Sequence, residues 1–436
     1  MARTSNATTL ADRLTTLIPE AKVLELAKKH GAVERFRKVD IYALVWSLVL
    51  GFQTGSSRSL AALLHLYNKN RPGKDVVRSS FHGRLTEGLA GLLRALAVEC
   101  IDVLRSNAAL PGGYLDGFKR LLAIDATVLR LRSMLASKYP ACRTNHTKAA
   151  AKMHMVMNVV DWSVHKVRVT GEKVHDQVPW RRLGRWVEGC LLLLDLGYYS
   201  FQLFDRIEQN HGFYLSRAKS NANLLIVKAN RVWRGNSIPV EGRRLQEVLG
   251  SLKREVLDVE VEVRFLRRQY MGKRSQGKGT VRLVAVRDSE SGGYHCYLTN
   301  VPPERLTAED ISETYALRWQ VEILFKAMKS HGHLAQLPSE KKSVVDCLIW
   351  SSVLATVASQ AIARDIRAQM PKKRFVPMLR WAALFSRVAE DLLRLVLAPD
   401  LVADDQLRRL LGREAPDPNL TRRDRALRRV GAWDGC

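Results

Sequence analysis

Tyr315, Arg318, Glu322 and Lys329 lie at offsets of 3, 7 and 14 along one mixed apolar and charged stretch. On a helix turning ~100° per residue these offsets fall within an arc of roughly 60°, so a phenol, two cations and an acid share one face. Leu317, Val321, Leu324 and Met328 gather near ~200° from Tyr315 on the same geometry and make the packing face. The plain alternative is a solvated helix laced with i,i+4 ion pairs. Two further acids stand in unusual settings. Asp125 sits in the strand-like run Leu121 to Leu129, where Asp is disfavoured and a buried carboxylate needs compensation; a bulge or a strand end facing water would also accommodate it. Asp195 follows four leucines, Leu191 to Leu194, just ahead of Gly197. Acids at strand ends often border a ligand crevice, although Asp-x-Gly is ordinary turn chemistry too.

Carboxylates from two strands and one helix, converging on a crevice, repel one another unless divalent cations hold them. Two Mg²⁺ ions about 4 Å apart on such a cluster can activate an attacking oxygen and stabilise the leaving oxygen of a phosphoryl transfer. The reading requires the fold to bring Asp125, Asp195 and Glu322 together.

The background charge suits a phosphate-rich substrate. The 436 residues carry 70 Lys+Arg against 43 Asp+Glu, a net charge of +27. Such a field attracts polyanions, nucleic acid first, with an anionic membrane or an acidic protein as lesser candidates. Hydrophobic residues at 46% and charged residues at 26% exclude a disordered or collagen-like chain. Six scattered cysteines without a C-x-x-C pair argue against a zinc site and for a reduced cytosolic setting. The N-terminus lacks the apolar segment of a secretory signal. The most apolar long stretch, Val344 to Ala363, is broken by Asp346 and several Ser and Thr residues, so a buried helix is expected and no membrane partner.

Periodicity divides the chain. Residues 1–115 read as helical, with 16 basic and 9 acidic residues up to Leu110, and suit DNA contact, though a solvated bundle fits as well. Residues 116–218 read as α/β: a strand with Asp125, a hairpin turning at Asp161-Trp162, a polar helical stretch near Pro179 to Glu188, the Cys190 to Leu194 strand, a helix over Phe201 to Glu208 and another strand at Gly212 to Ser216. Residues 219–305 alternate as a β-sheet with one wet face, and Arg217 to Arg282 holds 16 basic and 6 acidic residues. Residues 306–370 return to helix, continuous from Ala308 to His331, and residues 371–436 form a helical, Arg-rich end whose stretch from Leu392 to Leu411 suggests dimerisation.

At these positions the chain resembles the DDE transposases of bacterial insertion sequences, in the group named after insertion sequence four. That group carries Tyr-x2-Arg-x3-Glu-x6-Lys, matched in spacing by Tyr315, Arg318, Glu322 and Lys329. Asp125 within Leu122 to Thr127 and Asp195 within Leu193 to Tyr199 resemble the two acid segments, and Leu298 to Pro302 is similar to the return from the family's β insertion. The similarity runs from about Leu121 to His333.

The resemblance implies an α/β fold: an RNase H-like mixed-sheet core interrupted by a β-rich insertion, with helical N- and C-terminal regions. It implies Asp125, Asp195 and Glu322 as catalytic and metal-binding residues, with two Mg²⁺ ions or Mn²⁺ in their place. Glu322 lies 127 positions after Asp195, room for a β subdomain and too long for a loop. The implied activity is cleavage at inverted-repeat ends and transfer of the 3′-hydroxyl strands into target DNA. Tyr315, Arg318, Lys329 and Lys326 would grip phosphates, and Arg267, Arg268, Lys273 and Arg274 in the insertion would add DNA contacts. Two departures stand out. Leu196 replaces an Arg common after the second acid, and His295, beside Tyr294, stands where relatives have a base-stacking Trp; Tyr294 and His295 are the candidates for that role. The implied partners are double-stranded DNA, as ends and target, and a second copy of the chain in the DNA complex, with no small-molecule substrate. The implied setting is a prokaryotic cytoplasm, at the nucleoid. The competing readings are a transposase-derived DNA-binding protein that no longer cuts and a metal nuclease without strand transfer.

Overall fold

A computed structural model describes residues 8–33, 39–54, 59–71, 74–142, 147–233, 236–267, 275–335, 337–370, 374–417, 419 and 421–431. Six helices open it: α1 (Leu10–Leu17), α2 (Glu20–Lys29), α3 (Ile41–Val49), α4 (Leu60–Asn70), α5 (Arg78–His82) and α6 (Glu87–Ser106). The strands come next: β1 (Arg120–Leu131), β2 (Ala149–Asn158), β3 (Val164–Gly171), β4 (Cys190–Leu194), then α7 (Phe201–Gln209) and β5 (Phe213–Arg217). The β-rich segment contributes β6 (Leu225–Ala229), the short β7 (Val232–Trp233) and β8 (Asn236–Ser237), α8 (Leu245–Ser251), β9 (Val256–Leu266), β10 (Gln276–Arg287) and β11 (Tyr294–Thr299). The chain ends in α9 (Ala308–Ala316), α10 (Gln320–Ser330), α11 (Lys342–Ala368), α12 (Met378–Leu397), α13 (Leu401–Glu414) and α14 (Arg422–Arg429).

Nine strands form one mixed sheet in the order β3-β2-β1-β4-β5-β11-β10-β9-β6. β1 runs antiparallel to β2 and parallel to β4, and β4 runs parallel to β5. The β-rich segment joins by edge addition: β11 pairs antiparallel with β5, Thr299 opposite Leu215. It is therefore a continuation of the first sheet, and it includes the helix α8, which strand-like alternation did not announce.

Period-two alternation decides what each face covers. Leu121, Ala123, Leu191 and Leu193 point into the larger core with α6, α10 and α11, while Leu122, Ile124, Leu192 and Leu194 point into a second core with α7 and the β9–β10 side chains. Both faces of β4 are thus dry, which explains its unbroken leucines. α11 is long and apolar enough to cross a membrane, but 89% of its most apolar window is buried inside the protein, as its interspersed polar residues suggested.

The two ends of the chain meet. Asp404 on α13 accepts from the backbone N–H groups of Leu10 and Ala11, both at 3.0 Å, satisfying the open start of α1. Leu392, Leu393, Leu395 and Val396 on α12 are buried, as are Leu407 and Leu411 on α13, so the apolar stripe that suggested a dimer surface is largely spent within the chain; Leu401 and Val402 remain exposed.

Three local expectations change. The Pro179 to Glu188 stretch forms two short 3₁₀ turns, at Val178–Trp180 and Arg185–Val187, separated by Gly184 at φ 71°. The 308–331 helix is broken by a 3₁₀ turn at Leu317–Trp319, which rotates α10 by roughly 60° relative to a continuous α-helix. The insertion's expected wet face is dry at its inner end, where Asp258 and Arg282 are buried.

Candidate active site

Asp125 and Asp195 are brought together by strand register. β1 and β4 pair in parallel as far as Ile124 opposite Leu194, so the next residue on each strand is an aspartate. Adjacent strands lie about 4.8 Å apart. Alternation places Asp125 on the same face as Ala123, the face that α10 packs against. Beyond Leu194 the chain leaves the sheet, and Asp195 begins a 3₁₀ turn over Leu196–Tyr198.

Glu322 comes from the first turn of α10 and faces the two aspartates across Arg318. The Arg318 guanidinium donates from Nη2 to Glu322 Oε1 at 2.6 Å, and its Nη1 stands 3.8 Å from Asp125 Oδ2. That Nη1 is buried with no hydrogen-bond acceptor, a donor left open toward the carboxylates. Burial pushes the Asp125 carboxyl up to about 6; the Ala126 amide, donating at 2.7 Å, and Arg318 oppose the rise, while the charges of Asp195 and Glu322 add to it. The three acids therefore sense one another.

Tyr315 sits at the end of α9. Its hydroxyl donates to the Leu194 carbonyl at 3.4 Å, its ring packs on Tyr297 with centroids 5.1 Å apart, and burial raises the phenol to about 12. It braces the strand end that carries Asp195. Lys326 is exposed on α10. Lys329, two turns beyond Glu322, is half-buried; burial first, and then the charge of Arg130 on β1, lowers its ammonium below the usual lysine value. The stripe read from sequence is thus split: Tyr315, Arg318 and Glu322 join the aspartates, and Lys329 belongs to a second cationic point farther along β1.

The remaining candidates lie elsewhere. Arg267, at the end of β9, pairs with Asp205 of α7 at 3.2 Å. Arg268, Lys273 and Arg274 lie outside the described residues. Tyr294 is anchored, its hydroxyl donating to the carbonyls of Leu252 at 3.0 Å and Arg254 at 2.6 Å. His295 contacts Arg217 through Nδ1 at 2.8 Å, with Asp288 3.6 Å from its Nε2.

Sequence reasoning missed two supports. Arg282 forks onto Asp258, with contacts of 3.0 and 2.6 Å, and donates from Nη1 to the carbonyls of Val301 at 3.0 Å and Leu306 at 2.8 Å. This buried clamp pins the connection from β11 to α9. An acid and a cation on inner positions of paired strands were visible in the sequence, but not that α9 would cover them. On the other side, Lys152 pairs with Asp176 at 3.0 Å, and Asp176 lies against Gly197, where an added Cβ would stand 3.3 Å from its Oδ2.

The donor set, three carboxylates with an open guanidinium donor beside them, has the chemistry of a hard-cation site. Among the described residues, however, no three acidic, His or Cys side chains already stand close enough to share an ion, and Glu322 is paired with Arg318.

Carboxylates at adjacent strand ends and on a facing helix, with guanidinium and ammonium groups around them on a strongly basic chain, define an enzyme that handles nucleic acid. The chain belongs to the transposase DDE domain family, whose model matches residues 116–358. It is similar to the transposase for insertion sequence element IS231B of Bacillus thuringiensis subsp. berliner, 24% identical over 359 residues, 76% of this chain and 74% of that protein. It is likewise similar to the IS231D transposase of Bacillus thuringiensis subsp. finitimus, 23% identical over 378 residues, 80% and 78% of the two chains. The solved piggyBac transposase synaptic complex with hairpin DNA overlays with a TM-score of 0.48 at 12% identity, covering 96% of this chain and 88% of that one. The protein is thus a DNA transposase of the insertion-sequence type, and DNA is its partner.

Proposed function

We propose that the protein cuts phosphodiesters at the inverted-repeat ends of its element and joins the freed 3′-hydroxyls to target DNA, with Asp125, Asp195 and Glu322 holding two divalent cations, Mg²⁺ or Mn²⁺. The observation that carries this reading is the parallel register that sets Asp125 beside Asp195, with Glu322 opposite. The strand order β3-β2-β1-β4-β5 supports an RNase H-like core built from residues 116–218 and 306–370, with 219–305 as its β-rich insertion. On this reading residues 1–115 bind DNA, and two copies act together at the nucleoid on paired ends, with the exposed Leu401 and Val402 as the apolar part of residues 371–436 left to contribute to the pairing.

When bound, the cations supply activation of the attacking oxygen and stabilisation of the leaving oxygen. The protein's own residues do the rest. Arg318 presents a forked donor to a phosphate, and doing so frees Glu322 from its ion pair. Tyr315 keeps the Asp195 strand end in place. Lys326 and Lys329 act as point charges farther along the backbone. The partial burial of Asp125 limits water around the reacting phosphate.

The Arg318–Glu322 bond also favours a second reading, a DNA-binding protein that no longer cuts. Incubation with duplexes carrying the element's own ends separates the two: Mg²⁺-dependent nicking and joined product support the first, and end binding without nicking supports the second. Nicking without joined product would indicate a nuclease.

A further inference from the structure

A groove of about 450 Å³ runs between the β3–β4 connection, α7 and the outer end of β9. Three guanidiniums line it, those of Arg181, Arg206 and Arg267, against one carboxylate, Asp205, which Arg267 already pairs with. Arg206 donates from Nε to the Gln202 carbonyl at 3.0 Å and from Nη1 to the Arg181 carbonyl at 2.9 Å, and these carbonyls fix its direction. Arg181 is exposed and, among the described residues, has no carboxylate within ion-pair distance.

The aromatic wall is Phe265. Its ring lies across Gly277, its cross-strand partner on β10, where an added Cβ would come within 2.6 Å of the ring. Phe201 lies beside it, with ring centroids 6.4 Å apart and planes at 30°. The Gln202 amide bonds to the Leu266 carbonyl and ties α7 to β9 along the floor. At the inner end, Gln177 Nε2 donates to the Gly197 carbonyl at 3.3 Å, two residues after Asp195. Gln177 thus ties the groove lining to the turn that follows the second acid.

Cations on one wall and an aromatic face on the other are the elements that hold a single nucleic-acid strand, with phosphates on the guanidiniums and a base on the ring. The volume suits a small-ligand-sized occupant, about one or two nucleotides. We propose that this groove is a single-stranded DNA site that receives the unpaired nucleotides leaving the cut. The source of the strand rests on the transposase reading; binding in the groove does not.

The test uses the full chain in EDTA, with fluorescence anisotropy of a labelled oligothymidylate and of a duplex of equal length. Arg181→Ala and Phe265→Leu should each weaken oligothymidylate binding about tenfold, the order expected for one stacked base or lost phosphate contact, and leave duplex binding unchanged. Arg181→Ala alters an exposed side chain and keeps the test readable if Phe265→Leu lowers the melting temperature. Unchanged oligothymidylate affinity in both variants, or an equal loss for the duplex, overturns the proposal. Cleavage of element ends by the unaltered protein is measured separately: its failure counts against the transposase mechanism while the groove result stands, and its success with unaffected variants counts against the groove alone.

Discussion

Arg318 and Glu322 are joined across 2.6 Å, one helical turn apart, and the free side of the same guanidinium stands 3.8 Å from Asp125. Glu322 is therefore the acid whose availability depends on where Arg318 points. Glu322→Gln keeps an acceptor for Arg318 but loses the charge a cation needs. It should abolish cleavage, leave end binding within about twofold, and leave the melting temperature nearly unchanged; undiminished cleavage would remove Glu322 from the chemistry.

Cation binding has a readout independent of activity. A ligand that binds only the folded protein stabilises it by about 2.7 kcal/mol at a hundredfold excess over its dissociation constant. Mg²⁺ or Mn²⁺ should raise the melting temperature of the native chain, and Asp195→Asn should remove most of that increase. An equal increase in both proteins would place the cation elsewhere.

Lys326 is exposed on α10, free to act as a point charge toward DNA. Lys326→Ala should weaken binding similarly across sequences and flatten the dependence of log K on log salt by about 0.9, the contribution of one phosphate contact. A salt titration with the same slope as the native chain would exclude the contact.

The Arg282–Asp258 pair is almost completely buried, with side chains 2% and 7% exposed. Removing one partner of such a pair costs about 3–5 kcal/mol because the other charge is stranded, whereas replacing both costs much less. Arg282→Ala should destabilise the chain by that amount in urea and loosen the start of α9, lowering cleavage as well. Arg282→Met with Asp258→Leu should recover most of the stability; no recovery would mean that the carbonyl contacts of Arg282 matter more than its charge.

His154, fully buried on β2, is held by burial at about 4, below its usual 6.5; Lys152 and Arg168 push the same way and Asp176 opposes. The unfolded chain takes up its proton first as pH falls, so this imidazole stabilises the fold above pH 6.5 and that contribution is lost as pH falls toward 4. The loss amounts to about 3 kcal/mol at 1.36 kcal/mol per pH unit. His154→Gln, which keeps a polar partner for Thr170, should flatten stability between these pH values; an unchanged pH profile would assign the acid sensitivity to other groups.

Much of this protein was legible in one dimension. Strands β1, β4 and β5, the β2–β3 hairpin and helices α7 and α11 come from apolar runs and periodicity, because period and turn chemistry are local properties. The three acids and the Tyr-Arg-Glu-Lys spacing were equally visible. Other features depend on partners that carry no sequence label. The helix break at Leu317–Trp319 turns Tyr315 on α9 out of phase with Glu322 and Lys329 on α10, although its residues suit an α-helix. Extension of the first sheet by β11 uses backbone hydrogen bonds, to which any side chain is nearly indifferent. The Arg282 clamp became buried only when α9 covered it.

The sequence alone determined where the candidate acids and cations stand, which elements hold them and that the chain is strongly basic, since charge, residue type and periodicity are carried residue by residue. Only the tertiary structure decided that Ile124 stands opposite Leu194, that Asp125 and Asp195 therefore lie side by side, and that Arg318 holds Glu322 across from them. That meeting joins residues about 70 and 130 positions apart, and it is fixed by burial and register summed over the whole sheet rather than by any local preference.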